Sequence, residues 1–519
     1  STLVKLKFKF MKKSILLVLL GLFTLRCQTQ KISSTPSYDL ISFKIIQIND
    51  VYEIDAINAG RSGGLARVAH IRDSIQKVNP NTFYFLAGDF LNPSLLGTIK
   101  VDGERLQGKQ MVEVLNVSDL DLVTFGNHEF DLKESDLIKR LNESEFKWTS
   151  ANTWHAQGDG HRPFEIVKGN SVTQVSDYEI FTVENSSGKA LKFGVFGVTI
   201  PSNPKDYVVY GDMFDQAERA YREASKESDF VLGLTHVSLE QDKEIARRIP
   251  DLPLIMGGHE HHNMLEREGK TIIAKADANV VSLFVHTFEY NVNTKELNFD
   301  SELIMVTDAH QSSPKVQRVV DRWNNILDEN LRTIIDNPNE VVFTAVEPLD
   351  GTDAGSRSKQ TNLGEMITRA MSYAYNDEVD AAITNGGGIR IDDTLEGDLT
   401  SKDVFRIMPF GGSIYIVEMT GSLLTEVLDY GENATGTGAY LQRYNLSKNN
   451  SGQWLLGKNL IDSNKVYKIA LNDFLMLGLD IPFLTPENEG VKSVSTPHEK
   501  DLSYDLRRAI IHYMKTEMN

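Results

Sequence analysis

Cysteine is almost absent from the sequence. Among its 519 residues only Cys27 carries a thiol, which excludes disulfide bonds within the chain and any metal site built from several thiolates. A metal ion bound here would be held by oxygen and imidazole ligands, which suit zinc, manganese, iron and similar divalent cations.

Positive charge is also scarce. The formal net charge is -18, and no block of lysine and arginine follows the first residues. The chain therefore lacks the basic surface that nucleic acid polymers require, and they are not expected partners. Small anions remain candidate ligands, because bound divalent cations supply local positive charge that a residue count does not include.

The apolar run at the start of the chain is too short to cross a bilayer. It extends from Ile15 to Phe23 after Lys12 and Lys13, which is typical of an export signal. Because it is followed by Cys27, the segment resembles a bacterial lipoprotein signal, although Arg26 stands where a small residue is usual. We expect residues 1–27 to be the signal, 28–41 a tether and Cys27 a lipid anchor in the bacterial envelope (periplasm, outer membrane or cell surface). A plain secretory signal is the alternative.

The composition, with 41% hydrophobic and 24% charged residues, is that of a globular protein of two or three domains. Five short apolar runs end in residues that can bind a metal. They are residues 43–48 before Asp50, 82–87 before Asp89, 122–125 before Asn127 and His128, 230–234 before His236, and 252–256 before His259 and His261. Segments between them, such as 64–75, have the apolar spacing of helices. The pattern predicts an α/β fold in which strand ends converge on a ligand site.

These motifs, taken in order, resemble the calcineurin-like metallophosphoesterases, and more narrowly the branch of 5'-nucleotidases and UDP-sugar hydrolases. The resemblance implies a four-layer α/β sandwich over residues 42–310 and two divalent metal ions (zinc, manganese, cobalt or iron). The implied ligands are Asp50, Asp89 and His261 for the first metal, and Asp89, Asn127, His236 and His259 for the second. His128, oriented by Asp131, is implied to be the acid beside the phosphate.

One residue departs from the family pattern. The first motif is usually Asp-x-His, whereas this chain has Asp50-Val51-Tyr52-Glu53. The first metal therefore lacks an imidazole, and a Tyr52 phenolate, Glu53 or water could take its place.

A helix is predicted to begin at Ser313 and Pro314, a typical helix start, and to end at Asn337 and Pro338. We interpret residues 311–339 as a connector, although the same spacing also suits a core helix of either domain. The four glycine- or aromatic-containing stretches that follow are 357–364, 384–390, 408–412 and 471–475. They resemble the C-terminal α/β substrate-binding domain of 5'-nucleotidases, which is expected over residues 340–519.

This second resemblance implies that Arg357, Arg390 and Asn385 bind ribose or phosphate and that Phe410 and Phe474 hold the base between two aromatic faces. Asp480 corresponds to a carboxylate of the family's glycine-rich motif but lacks its glycines. Asp353 stands where a further arginine is common.

The expected activity is metal-dependent hydrolysis of a nucleoside 5'-monophosphate to nucleoside and phosphate. Hydrolysis of a 2',3'-cyclic nucleotide or a UDP-sugar by the same site is the alternative enzyme activity. A surface lipoprotein that binds nucleotides or another partner without catalysis is an alternative of a different class.

Overall fold

The computed structural model describes residues 39–158, 160–202 and 205–518. The predicted export signal and Cys27 lie outside these residues. None of the helices in these ranges combines the length and the apolar character needed to cross a bilayer.

The first half of the chain forms two six-stranded sheets. In spatial order, the first contains Glu296–Met305, Ser282–Asn291, Leu40–Ile48, Thr82–Ala87, Leu122–Thr124 and Lys147–Thr149, and the second Tyr178–Glu184, Ala190–Thr199, Phe230–His236, Leu254–Gly257, Thr271–Lys275 and Met264–Glu268. Consecutive strands from Leu40–Ile48 to Lys147–Thr149 pair in parallel, as do those from Ala190–Thr199 to Thr271–Lys275.

The two sheets pack face to face through large apolar side chains. Phe43 of the first sheet stacks on Phe193 of the second with ring centroids 4.8 Å apart, and on Phe288 at 4.6 Å. Strand residues alternate between the two faces of a sheet, so each sheet also has apolar side chains on its outer face. Helices cover these outer faces.

The helices are α1 Leu65–Val78, α2 Leu95–Thr98, α3 Lys109–Val117, α4 Glu134–Glu143, α5 Met213–Ala224, α6 Leu239–Arg248, α7 Pro314–Leu331, α8 Asp353–Ser356, α9 Asn362–Tyr373, α10 Ser401–Ile407, α11 Gly421–Asn433 and α12 Leu506–Glu517. Buried residues of α1 and α3 pack in the core outside the first sheet, and those of α5 and α6 pack against the second. The predicted four-layer α/β sandwich is therefore confirmed.

The predicted strand ends are distributed over both sheets. The strands before Asp50, Asp89 and Asn127 belong to the first sheet, and those before His236 and His259 belong to the second. The convergence therefore occurs across the sandwich rather than along one sheet.

The predicted end of the long helix is wrong. Helix α7 begins at Pro314 with Ser313 before it, as expected, but ends at Leu331 rather than at Asn337. The amides of Ile334 and Ile335 both donate to the carbonyl of Leu331, at 2.8 and 2.9 Å, and this turn closes the helix. The apolar spacing continues past the helix end because the turn also contains isoleucines.

The second half is built on a five-stranded sheet with helices α9, α11 and α12. Its spatial order is Leu441–Tyr444, Ala381–Asn385, Val466–Asn472, Ile414–Thr420 and Val491–Ser495. A separate pair, Val341–Asp350 and Thr394–Thr400, is antiparallel. The loop between Asn385 and Thr394 leads from one of these sheets to the other and carries the predicted Arg390.

The remaining strands form small accessory sheets. They are Ala56–Ile57 with Ser62–Gly63, Lys100–Val101 with Glu104–Arg105, Glu165–Lys168 with Ser171–Gln174, the triplet Gly160–Arg162, Thr153–Gln157 and Val208–Tyr210, and the triplet Leu446–Lys448, Trp454–Leu456 and Asn459–Leu460.

Candidate active site

Two strand ends of the first sheet and one of the second bring three ligand side chains together. A carboxylate oxygen of Asp50, one of Asp89 and an imidazole nitrogen of His236 all lie within 4.8 Å of one another, and all three residues are buried. Asp50 and Asp89 have φ angles of 52° and 57°, in the left-handed region that non-glycine residues adopt infrequently.

Two buried polar atoms at this point have no hydrogen-bond partner among the described residues: Nε2 of His236 and Oδ1 of Asn127. The other ring nitrogen of His236 is paired with the carbonyl of Ala87 at 2.8 Å, while Nε2 lies 3.1 Å from Asp89 Oδ2 without hydrogen-bond geometry. Buried polar atoms are nearly always satisfied. Atoms of this kind beside two carboxylates fit a divalent metal ion.

Glycine is required where the loops approach one another. A Cβ on Gly126 would collide with the side chain of Asp89, and one on Gly258 would lie 2.8 Å from Nδ1 of His236. The glycines of the two motifs thus allow the ligand-bearing loops to come into contact.

Burial and neighbouring charges have opposite effects on the pKa values of Asp50, Asp89 and His236. Burial lowers the pKa of His236, but the carboxylates of Asp89 and Asp50 raise it to about 9 overall. Burial raises the pKa of Asp50 and of Asp89, whereas His236 and the neighbouring histidines lower both overall. The carboxylates are therefore charged and hold a proton on His236 when no cation is present.

His261 and Tyr52 lie beside the cluster of Asp50, Asp89 and His236. Nε2 of His261 is 3.4 Å from Asp50 Oδ1, and the Tyr52 hydroxyl lies 3.2 Å from both Nε2 of His261 and Oδ2 of Asp89. His259 has its ring centroid 5.4 Å from that of His236. Every residue of the two predicted ligand sets is thus in or beside the cluster, and the Tyr52 hydroxyl lies between His261 and Asp89.

His128 is buried beside the cluster and is paired with Asp131. Its Nδ1 lies 2.7 Å from Asp131 Oδ2, and its backbone N–H donates to Asp89 Oδ1 at 2.8 Å. Burial lowers the pKa of His128, but Asp89, Asp131 and Asp353 raise it to about 9. In the absence of a cation the imidazole therefore holds protons on both ring nitrogens at neutral pH.

The loop after Asn385 and helix α8 bring charged side chains to His128. Arg390 lies 3.3 Å from Asp131, and Arg357 lies 2.6 Å from Asp353. Asp392 contacts His261 directly, because Nδ1 of His261 bonds to its backbone carbonyl and its Oδ2 lies 3.5 Å from Nε2 of His261.

The other predicted substrate residues lie on neighbouring loops of the second half. Asn385 donates to Asp480 at 2.8 Å. Phe410 and Phe474 are 63% and 37% exposed, so neither ring is buried in the core. Their loops are joined by a hydrogen bond from the amide of Ser413 to Asp473 at 3.1 Å.

Sequence reasoning missed Glu129 and Lys275, which position the ligand loops. Buried Glu129 accepts hydrogen bonds from four backbone amides, those of Asp89, Phe90, Leu91 and Gly126. Buried Lys275 donates to the carbonyls of Val237 and Gly258, next to His236 and His259. Both could have been found, since Glu129 lies inside a motif and Lys275 ends an apolar strand.

Both halves of the chain match families of known proteins. The model of the calcineurin-like phosphoesterase family matches residues 43–263, and that of the 5'-nucleotidase C-terminal domain matches residues 341–485. The chain is 26% identical to a trifunctional nucleotide phosphoesterase of Bacillus subtilis over 89% of its own length, but spans only 33% of that protein. It is 25% identical to the 5'-nucleotidase of Bos taurus, covering 82% of this chain and 79% of that protein.

Among solved structures, a 5'-nucleotidase precursor from Thermus thermophilus has the same fold, with a TM-score of 0.64. The two are 21% identical over 92% of this chain and 96% of the other. Since one family model matches the first half and the other the second, the chain belongs to the two-domain 5'-nucleotidase branch of the calcineurin-like phosphoesterases, which are phosphoric ester hydrolases.

Proposed function

We propose that this protein hydrolyses the phosphate ester of nucleotides, with the 5'-nucleotidase reaction, nucleoside 5'-monophosphate and water to nucleoside and phosphate, as the reference activity. The observation that carries the proposal is the buried cluster of Asp50, Asp89 and His236 with unpartnered polar atoms, adjacent to the His128 and Asp131 pair.

The proposed ligands are Asp50, Asp89 and His261 for one divalent cation, and Asp89, Asn127, His236 and His259 for another. When bound, such a pair polarises a phosphoryl oxygen and provides a nucleophile at neutral pH. The oxygen and imidazole donors suit zinc, manganese, cobalt or iron.

Residues of the chain would protonate the leaving oxygen and position the nucleotide. His128 would donate a proton to the oxygen that leaves, and Asp131 holds its ring in place through the 2.7 Å contact. General acid catalysis of this kind contributes roughly 100- to 10,000-fold. Arg357, Arg390, Asn385 and Asp480 would contact phosphate or ribose, and the exposed rings of Phe410 and Phe474 would stack on the base.

We further propose that residues 42–310 and 340–519 act as catalytic and substrate-binding domains joined by 311–339. Residues 1–27 would be an export signal with a lipid anchor at Cys27 and 28–41 a tether. The support is the sequence pattern of residues 12–27.

The test is a panel of nucleoside monophosphates, 2',3'-cyclic nucleotides and nucleotide sugars with manganese, zinc or cobalt added, combined with metal analysis of the protein. We expect turnover of at least one nucleotide and two bound metals. Nucleotide binding with less than one tightly bound metal and no turnover would instead favour the non-catalytic binding protein.

Asn127→Ala tests the ligand assignment. Loss of a residue that merely supports a ligand typically costs roughly 10- to 100-fold in activity or metal affinity, and loss of a ligand should cost at least as much. Exposed Asn464→Ala is the matched control and should behave as the unaltered protein. Near-normal turnover and metal content in Asn127→Ala would refute the assignment.

A further inference from the structure

The side chains around His128, where the phosphate is proposed to bind, include charges of both signs. Two guanidinium groups, of Arg357 and Arg390, lie there with three carboxylates, of Asp131, Asp353 and Asp392. Imidazole and carboxylate atoms of His128, Asp353 and Asp392 all lie within 4.8 Å of one another. The three carboxylates thus outnumber the two guanidinium groups, and even with a proton on His128 this side contributes no net positive charge.

Each arginine is already paired, Arg357 with Asp353 at 2.6 Å and Arg390 with Asp131 at 3.3 Å. Asp392 is held against Asp353 because its Oδ1 accepts the backbone N–H of Asp353 at 2.7 Å. The carboxylates of Asp353 and Asp392 are about one-fifth exposed, at 21% and 18%, so water screens them weakly.

Other atoms indicate that an anion still binds here. Nε of Arg357 and Nε of Arg390 are buried and have no hydrogen-bond partner among the described residues. Among the proposed metal ligands, Oδ1 of Asn127 and Nε2 of His236 are also buried and unpartnered within the described part of the chain. Donors and metal-binding atoms of this kind suit a phosphoryl group, whereas Asp353 and Asp392 repel each additional negative charge on it.

A phosphomonoester carries two negative charges near pH 8, and a phosphodiester carries one. Like charges brought together in a binding site cost enough to reject a wrong ligand. We propose that Asp353 and Asp392 are specificity-determining residues, an inference that rests on the proposed function. They favour singly charged phosphodiesters of nucleotides, cyclic nucleotides among them, over doubly charged monoesters.

The experiment compares kcat/KM for p-nitrophenyl phosphate and bis(p-nitrophenyl) phosphate, and for 5'-AMP and 2',3'-cyclic AMP, at pH 8 with manganese. The proteins are the unaltered chain, Asp353→Asn, Asp392→Asn and the control Asp429→Asn, whose carboxylate bonds to Trp454. The unaltered chain should prefer the diesters. Each site variant should raise kcat/KM for monoesters about tenfold more than for diesters, and the control should change neither.

A preference of the unaltered chain for monoesters would overturn the proposal. So would an equal gain for both ester classes, which would mean that the carboxylates simply obstruct the site. A cation bound to the unaltered chain but lost in both site variants would overturn it too, because that cation would neutralise the carboxylates.

A binding measurement distinguishes failure of this proposal from failure of the proposed function. If the unaltered chain hydrolyses none of the four esters, the proposed function fails. Calorimetric titration with phenylphosphonate, a dianion, and its monomethyl ester, a monoanion, then makes the same comparison without turnover. If the unaltered chain binds the monoanion more tightly than the dianion, and either site variant reverses this order, charge selection is supported. If the ratio of the two dissociation constants is the same in all proteins, the proposal is overturned. Asp392→Asn serves alone if Asp353→Asn does not fold.

Discussion

Tyr52 changes the chemistry expected at the first metal. Burial and the negative charges of Asp89 and Asp50 raise the pKa of its hydroxyl well above the ordinary value, so the phenol keeps its proton in the absence of a cation. In that state it can donate to Asp89, 3.2 Å away. The sequence identifies the missing imidazole, but only the packing of the strand ends reveals that the hydroxyl reaches Asp89.

The exposed ring of Phe474 allows a test of base stacking. Stacking of a base on an aromatic ring is worth roughly 1–3 kcal/mol, so Phe474→Ala should raise KM for 5'-AMP at least about fivefold and leave KM for p-nitrophenyl phosphate nearly unchanged. Steady-state kinetics on both substrates measure the effect. Phe483→Ala, which removes another ring of the same half, is the control. A similar rise for both substrates would exclude Phe474 from the base site.

At the scale of elements, the short helical turn His128–Asp131 ties two ligand loops together through Glu129. The carboxylate of Glu129 accepts hydrogen bonds from four backbone N–H groups. In Glu129→Gln the side-chain NH₂ group is itself a donor, so it would face some of these N–H groups without an acceptor between them. Hydrogen bonds to charged groups contribute about 1.5–3 kcal/mol each, so we expect a lower urea midpoint and weaker metal binding by the variant.

Urea unfolding and metal analysis of Glu129→Gln make the measurement, and Glu365→Gln, in an exposed pair with Arg369, is its control. Unchanged midpoint and metal content would show that the two loops hold their places without this carboxylate.

Elements were predictable from sequence where local pattern decides them. Each apolar run before a ligand became a strand, and Ser313 with Pro314 marked the start of α7. The end of α7 was not predictable from spacing, because Ile334 continues the apolar pattern inside a turn. The family resemblance implied a four-layer sandwich, but which strands belong to which sheet was not predictable, since every run has the same local character.

At the scale of the whole molecule, several contacts join the two halves of the chain. Arg406 lies 2.9 Å from Glu53, Arg61 lies 3.2 Å from Asp398, and Asp392 contacts His261. No local pattern marks such pairs, because each depends on how the halves pack. Asp392 in particular was indistinguishable from a surface carboxylate in the sequence.

The two sheets of the sandwich are joined by a buried polar network that makes overall stability depend on pH. His286 pairs with Gln47 at 2.8 Å and with Ser301 at 2.7 Å, and Gln47 also donates to carbonyls of Gly257 and Ala274 in the second sheet. Burial lowers the pKa of His286 from 6.5 to about 3.

Between these two pH values the unfolded chain binds a proton at His286 that the folded chain does not. Its contribution to stability is therefore complete above pH 6.5 and is lost progressively as pH falls toward 3. The urea midpoint should fall more between pH 7 and pH 5 for the unaltered chain than for His286→Gln, which cannot titrate there. Exposed His498→Gln should keep the full pH dependence. If His286→Gln keeps it as well, other groups must account for the acid sensitivity of the fold.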